Sequence, residues 1–355
     1  MDMTKKPATI KDIAAHLGID PSSVSRALNG HGGVSEETRK RIQKAADELG
    51  YVINLSARHM VQKQSMLVGL LVPDIRNEFH STMASIMAEY SRKLSYQMVL
   101  SNTDDDPDVE EHQVRTLVQA RVAGIVITPT PNPTAATKKF LQAIPTIQLL
   151  RQVKGIAGDA VCMDDSVGIR AAARHLLALE HTRIGYIGTS SNISVGGARL
   201  QGFMQAHEEA GVKVQKSLVV LVQPRSPFGY DAACKILSLT HRPTALIIGS
   251  TQLTSGVLKA IAESGLDVPR QLSVIGYGDP DWHSLLSPSL TSIRLPVESM
   301  AKSAVEKLYS RIGGKKNPSA QEQEQLHGTL VIRESIAAPA QKARLGKAEK
   351  PSFLQ

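Results

Sequence analysis

Thr9-Ile-Lys-Asp-Ile-Ala-Ala-His-Leu-Gly-Ile-Asp-Pro-Ser-Ser-Val-Ser-Arg-Ala-Leu-Asn29 reads as two short helices hinged at a glycine. Thr9 is placed to cap the first helix, with Asp12 three residues on to return the bond, and Ile10, Ile13, Ala14 and Leu17 fall on one apolar face. Gly18 ends that helix. Asp20 is the next N-cap and Pro21 the next N1 residue, so a second helix starts almost at once and buries Val24, Ala27 and Leu28. Its other face carries Ser22, Ser25, Arg26 and Asn29, groups that hydrogen-bond phosphates or base edges, on a rod that fits the major groove of DNA. Taken alone, these residues also describe an ordinary helical hairpin with a solvated polar face.

The following residues favour the DNA-binding reading. Ser35 starts a third helix whose stripe is Ile42, Ala45, Ala46 and Leu49, and Gly50-Tyr51 closes the unit. Asn54 then caps a short fourth segment that runs to Val61, ahead of a polar linker at Gln62 to Ser65.

At this point the chain resembles the LacI/GalR family of bacterial transcription repressors. The resemblance rests on Thr-Ile-Lys-Asp-Ile-Ala (9–14), Val-Ser-Arg-Ala-Leu-Asn-Gly (24–30), Val-Ser-Glu-Glu-Thr-Arg (34–39) and Glu-Leu-Gly-Tyr (48–51), in that family's order and spacing. It continues to Arg333-Glu-Ser335, nearly the whole chain. It implies that the start of the second helix reads bases, which points to Pro21, Ser22 and Arg26. It also implies that the fourth segment is a hinge helix that wedges an apolar side chain into the minor groove. Met60 stands where leucine is usual, and a flexible thioether can also wedge a base step. Ile53 replaces the proline that usually follows the tyrosine. The candidate DNA contacts are therefore Thr9, Pro21, Ser22, Ser25, Arg26, Asn29 and Met60.

The 355 residues leave room for a headpiece over 1–53, a hinge and linker over 54–65, a two-lobed domain over 66–336 and a disordered tail over 337–355. The formal charge of +8 is uneven. Residues 1–64 hold ten Lys or Arg against seven Asp or Glu, and residues 336–355 hold four against one, which leaves the long middle nearly neutral. Such a distribution puts the basic surplus on the DNA-binding segment and the tail. Cys162 and Cys234, each flanked by apolar residues, read as reduced core residues. No apolar export signal and no run of about 18 apolar residues occurs, so a cytoplasmic, nucleoid-associated protein is expected, with no membrane partner. The tail has two prolines and no apolar heptad, so the expected assembly is a homodimer and not a tetramer.

From Met66 on, short apolar runs alternate with helical segments. Residues 67–72, 97–100, 124–128 and 146–150 read as buried parallel strands of one set. Residues 160–163, 183–187, 218–222, 245–248 and 272–276 read as a second set. The expected class is α/β: a helix-turn-helix headpiece, then two doubly wound parallel lobes like type I periplasmic binding proteins, with a ligand crevice at the carboxyl ends of the strands. The bare two-lobed pattern also suits a solute receptor. The headpiece decides against that.

The crevice is where the chain departs from the resemblance. Relatives that bind neutral sugars usually carry aspartates where this chain has Leu150, Thr251 and Gly278, whereas Arg151 and Arg199 remain, the latter in Ala-Arg-Leu-Gln-Gly-Phe203. Asn77-Glu-Phe-His80 offers Phe79 to stack on a ring and His80 as a donor. The candidate effector contacts are Phe79, His80, Thr128, Arg151, Arg199, Thr251 and Asp279. Losing acids while keeping arginines suits an anionic carbohydrate-type effector, because guanidinium pairs bidentately with carboxylate or phosphate. A neutral sugar held by hydroxyl contacts is the alternative. No nucleophile elbow, P-loop, dinucleotide fingerprint or metal-spaced Cys/His cluster is present, so neither an enzyme nor a metal or cofactor is expected.

Overall fold

The computed structural model describes residues 8–28, 33–51, 65–190, 194–314 and 322–340. Asn29, the hinge segment with Met60, and the tail from residue 341 lie outside them. The chain divides into two compact units, Met1–Met66 and Leu67–Gln355.

The first unit holds α1 (Ile10–Leu17), α2 (Pro21–Leu28) and α3 (Glu36–Glu48). The capping box forms as the sequence predicts: the Thr9 amide and hydroxyl each donate to Asp12 Oδ2 at 2.7 Å, and the Asp12 amide donates to Thr9 Oγ1. Gly18 ends α1 with φ 65°, a left-handed conformation that glycine adopts without a Cβ penalty. The Ser22 amide donates to the Asp20 side chain at 2.7 Å, and the Thr38 amide to that of Ser35. Ile13, Ala14, Val24, Ala27, Ile42, Ala45 and Ala46 form the core. Leu49, expected on the stripe, is exposed, because it is the C-cap residue of α3 and lies past its last turn.

The second unit has two six-stranded sheets. Its first half runs β1 (Leu67–Val72), α4 (Glu78–Lys93), β2 (Gln97–Asn102), α5 (Pro107–Gln119), β3 (Gly124–Ile127), α6 (Ala135–Gln142), β4 (Thr146–Leu150) and β5 (Asp159–Asp164). The second half runs α7 (Asp165–Ala178), β6 (Ile184–Thr189), α8 (Ser194–Glu209), β7 (Val219–Val222), α9 (Ser226–Leu237), β8 (Ala245–Ile248), α10 (Thr251–Ser264), β9 (Ser273–Tyr277), α11 (Trp282–Leu285), β10 (Thr291–Arg294), α12 (Val297–Ile312), β11 (Gln323–His327) and β12 (Thr329–Val331). The sheet orders are β11-β5-β4-β3-β1-β2 and β12-β10-β9-β8-β6-β7. All pairs are parallel except β10 with β12.

Three expectations change here. The strand over 160–163 belongs to the first sheet: β5 pairs with β4, and the chain passes to the second lobe only at Asp164 and Asp165. Cys234 is exposed while Cys162 is buried, because α9 turns Ala232, Ala233 and Ile236 inward and leaves residue 234 on the opposite face. The start of the expected tail is tied down. The Ala337 carbonyl contacts His181 Nε2 at 2.8 Å and accepts from Ser273 Oγ at 2.9 Å.

Parallel order places the carboxyl end of every strand but β12, and the loop after it, on one side of each sheet. Those loops and the early turns of the helices that follow them carry the crevice residues.

Candidate functional site

On the headpiece, Thr9, Pro21, Ser22 and Arg26 are exposed and Ser25 is half-buried. Arg26 lies back along its own helix, with Nε donating to the Ser22 carbonyl and Nη2 to the Ser22 hydroxyl, each at 3.3 Å. Asp20, at the mouth of α2, accepts from Ser22, and those bonds hold its carboxyl below the ordinary range. Its negative charge sits at the positive end of the helix dipole. The polar groups at the start of α2 are thus aligned by local bonds and kept clear of the core.

In the second unit, the loops at the carboxyl ends of the strands enclose a cavity of about 120 Å³. Six of the seven expected effector residues line it: Phe79, His80, Thr128, Arg151, Arg199 and Thr251. The first-lobe wall is built around Arg151. Its Nη2 donates to Asp105 at 2.7 Å, whereas Nε and Nη1 are buried with no hydrogen-bond partner among the described residues. The backbone on both sides of this pair is unusual, since Leu150 has φ 67°, Asp104 54° and Asp105 57°. Left-handed conformations cost an ordinary side chain about 1–2 kcal/mol, so here the backbone spends energy to bring the guanidinium and its acid together. Beside them, Thr128 Oγ1 and His80 Nδ1 are also buried without partners. Burial, reinforced by the Arg151 charge, lowers the His80 pKa to about 4, so the ring is neutral near pH 7. Glu110 braces this wall. Its carboxylate accepts from the Thr130 amide at 2.6 Å and hydroxyl at 3.1 Å, which fixes the loop that presents Thr128.

The second-lobe wall is built around Arg199. Its Nε donates to Asp165 at 2.6 Å and Nη1 to the Gly249 carbonyl at 3.1 Å, and its guanidinium lies 4.0 Å from the centre of the Tyr277 ring. The Tyr277 hydroxyl donates to the same Asp165 oxygen. Burial opposes the charge on Arg199, but Asp165 and the neighbouring tyrosines outweigh it, and its pKa is raised. Thr189 Oγ1 is buried nearby without a partner.

Asp279 stands apart from the other six. It lines a larger outer groove of about 700 Å³, which shares Phe79, Thr251 and Tyr277 with the inner cavity. Its carboxylate is occupied by Arg294 at 2.7 Å and by both terminal nitrogens of Arg333, at 2.7 and 3.0 Å. Those partners overcome its burial and lower its pKa. Arg76, also on the groove, is paired with Asp74 at 2.9 Å.

Sequence reasoning missed Asp105 and Thr189, and did not pair Asp165 with Arg199. Asp165 had a signal, as the second residue of Asp164-Asp165 at a strand end. Its partner lies 34 residues away, and no local pattern joins the two. Among the described residues, no group of three or more His, Cys, Asp or Glu side chains is arranged to hold a metal ion, and no helix is long and apolar enough to cross a membrane.

Comparison with known proteins agrees with both units. Residues 9–54 match the model of the bacterial regulatory proteins of the lacI family, and residues 173–336 match a periplasmic binding protein-like domain. The chain is 30 % identical over 336 residues to the HTH-type transcriptional regulator DegA of Bacillus subtilis (strain 168), covering 93 % of this chain and 98 % of that protein. It is 31 % identical over 334 residues to the HTH-type transcriptional repressor PurR of Escherichia coli O139:H28, covering 93 % and 97 %. In fold it is similar to the crystal structure of the lac repressor dimer bound to operator and the anti-inducer ONPF. That match has a TM-score of 0.81 at 24 % identity, over 94 % of this chain and 100 % of the other. These relatives are regulators and not enzymes. With an exposed helix-turn-helix on one unit and a crevice between two doubly wound lobes on the other, the chain belongs to the lacI family and is a DNA-binding transcriptional regulator with an effector-binding domain.

Proposed function

We propose that this regulator is a repressor that works as a homodimer on a pseudo-palindromic operator, and that a small anionic carbohydrate-type metabolite, bound at Arg151, switches it. One headpiece has too little surface for tight binding, so two copies related by a two-fold axis read two half-sites. The lac repressor solved as a dimer on its operator supports the same assembly here. Thr9, Pro21, Ser22, Ser25, Arg26 and Asn29 face the DNA from each headpiece, and Met60 wedges the minor groove from the hinge. The place of action is the cytoplasm, on nucleoid DNA.

The effector reading is carried by one observation: Arg151 lines the inner cavity and keeps two buried nitrogens without hydrogen-bond partners among the described residues. A buried N–H without an acceptor forfeits about 1–3 kcal/mol, more for a charged group, and a carboxylate or phosphate on that edge of the guanidinium recovers it through charge-assisted bonds. Thr128, Thr189 and His80 supply the remaining polar contacts, for hydroxyls, and Phe79 covers the apolar face of a ring. Arg199 and Thr251 shape the opposite wall, and Asp279 supports it through its arginine pairs.

The test starts from a duplex selected out of a random pool by the full-length protein. Its affinity is then measured with sugar acids, sugar phosphates and matched neutral sugars. The reading expects DNA affinity to change with one or more of the anions and to stay unaffected by their neutral analogues. A response confined to neutral sugars favours the alternative of a hydroxyl-bound ligand, in which the acids Asp105 and Asp165 already neutralise both arginines.

A further inference from the structure

Two hydrogen bonds join the lobes across the mouth of the crevice. Thr251 Oγ1 donates to Asn77 Oδ1 at 3.1 Å, and Gln252 Nε2 donates to Asp74 Oδ2 at 3.1 Å. Both donors are the first residues of α10, and both acceptors lie on the loop from β1 into α4. Asn77 Oδ1 also accepts from the Phe79 amide as the N-cap of α4, so its position is fixed by the helix it starts. Facing Thr251 is Gly278, with φ +80°; a Cβ built there would lie 2.4 Å from the Thr251 methyl, Cγ2. Threonine is branched at Cβ, so one χ1 rotation sets both the methyl and the hydroxyl. The methyl therefore cannot swing clear of residue 278 unless the hydroxyl leaves Asn77.

We infer that Gly278, Thr251 and Asn77 form one interlobe latch, in which the bare glycine lets Thr251 keep the rotamer that bonds Asn77 and holds the crevice closed. Position 278 then decides both closure and chemistry. A side chain at 278 meets the Thr251 methyl and forces Thr251 off Asn77, so an acid at that one position is incompatible with the latch. The closed site meets its ligand at this point with backbone alone. The latch holds whatever the charge of the effector.

The chain has one tryptophan, Trp282, which lines the outer groove opposite the first-lobe residues Glu78 and Phe79 and reports the opening of the mouth. Acrylamide quenching of Trp282 in the full-length protein without ligand tests the latch, with thermal melts to check folding. Thr251→Val keeps the methyl and loses the hydroxyl, and Gly278→Ala drives the methyl away; each should raise the quenching constant by about twofold as the closed population falls. Thr251→Ser keeps the hydroxyl and lacks the methyl, so it should quench like the parent. The double variant Gly278→Ala/Thr251→Ser should return to the parent value. The left-handed strain of alanine at 278 is common to both Gly278→Ala proteins, so their difference isolates the methyl. Parent-like quenching in Gly278→Ala, or a double variant as open as Gly278→Ala, overturns the inference. If Gly278→Ala does not fold, parent-like quenching in Thr251→Val does so by itself.

Discussion

Arg199 and Arg151 face each other across one crevice and are treated differently by the fold. On the second-lobe wall, Arg199 has Asp165 at 2.6 Å, the Gly249 carbonyl at 3.1 Å and the Tyr277 ring against its face. On the first-lobe wall, Arg151 has one bond, to Asp105, and two buried nitrogens without partners. The acids differ as well: the Asp165 side chain is 2 % exposed and that of Asp105 36 %. A guanidinium bonded on several sides in a dry site is a strut. One with a free edge in a cavity and a solvated partner can take a ligand at little cost to the fold.

The largest expected effect separates those two roles. Arg199→Met strands the Asp165 charge in the interior and should cost about 3–5 kcal/mol of stability, read as a shift of the urea midpoint. Arg151→Met removes a buried guanidinium that has one bond and two unpaired nitrogens, and leaves behind an acid that is 36 % exposed, so it should cost far less than Arg199→Met or raise stability. Equal losses in the two variants would erase the distinction.

The next effect follows from His80 on the Arg151 wall. Its folded pKa, about 4, lies below the ordinary 6.5, so below pH 6.5 the unfolded chain binds a proton that the folded chain refuses. Its contribution is therefore complete above pH 6.5 and is lost as pH falls toward 4, by about 2 kcal/mol at pH 5. His283, held near 4 by burial, adds a loss of the same sign in the second lobe. His80→Gln should flatten the stability profile between pH 6.5 and 4 relative to the parent. An unchanged slope would mean that His80 is already hydrated in the folded protein.

A third arginine extends the comparison to the surface. Arg26 is exposed and folded back on Ser22, so Arg26→Ala should leave the headpiece melting curve in place while weakening operator binding. A loss of about 1–3 kcal/mol confined to one base position identifies a base contact, whereas a uniform loss across sequences identifies a phosphate contact.

What the sequence disclosed and what it hid divide along the same line of local against distant pairing. The headpiece was legible because its caps, its glycine turn and its apolar face all lie within a few residues of one another. The two-lobed class was legible from apolar runs such as Leu67–Val72, which need both sheet faces covered. Gln323–His327 gave no strand signal, since it pairs by its backbone along β5 at a sheet edge and its side chains, Leu326 apart, are polar and alternately exposed. The lobe to which residues 160–163 belong was hidden for the same reason. In the site, six of seven residues were placed on the inner cavity, Thr128 and Arg151 just after strand ends and Phe79, His80, Arg199 and Thr251 in the early turns of helices. Asp279 was not, because its link to Arg333 spans 54 residues and forms only in the fold. The unequal condition of Arg151 and Arg199 was hidden too, because the acids that set it lie 46 and 34 residues away.

The most direct test of the Arg151 reading is calorimetric titration of a sugar acid and its matched neutral alcohol into the full-length parent and Arg151→Met proteins. Pairing at the free edge of Arg151 predicts at least about a tenfold preference of the parent for the acid, from charge-assisted bonds of about 1.5–3 kcal/mol each. That preference should collapse in Arg151→Met. A parent that binds the alcohol as tightly as the acid, or a preference that survives Arg151→Met, would contradict the assignment of Arg151 as the effector's anion site.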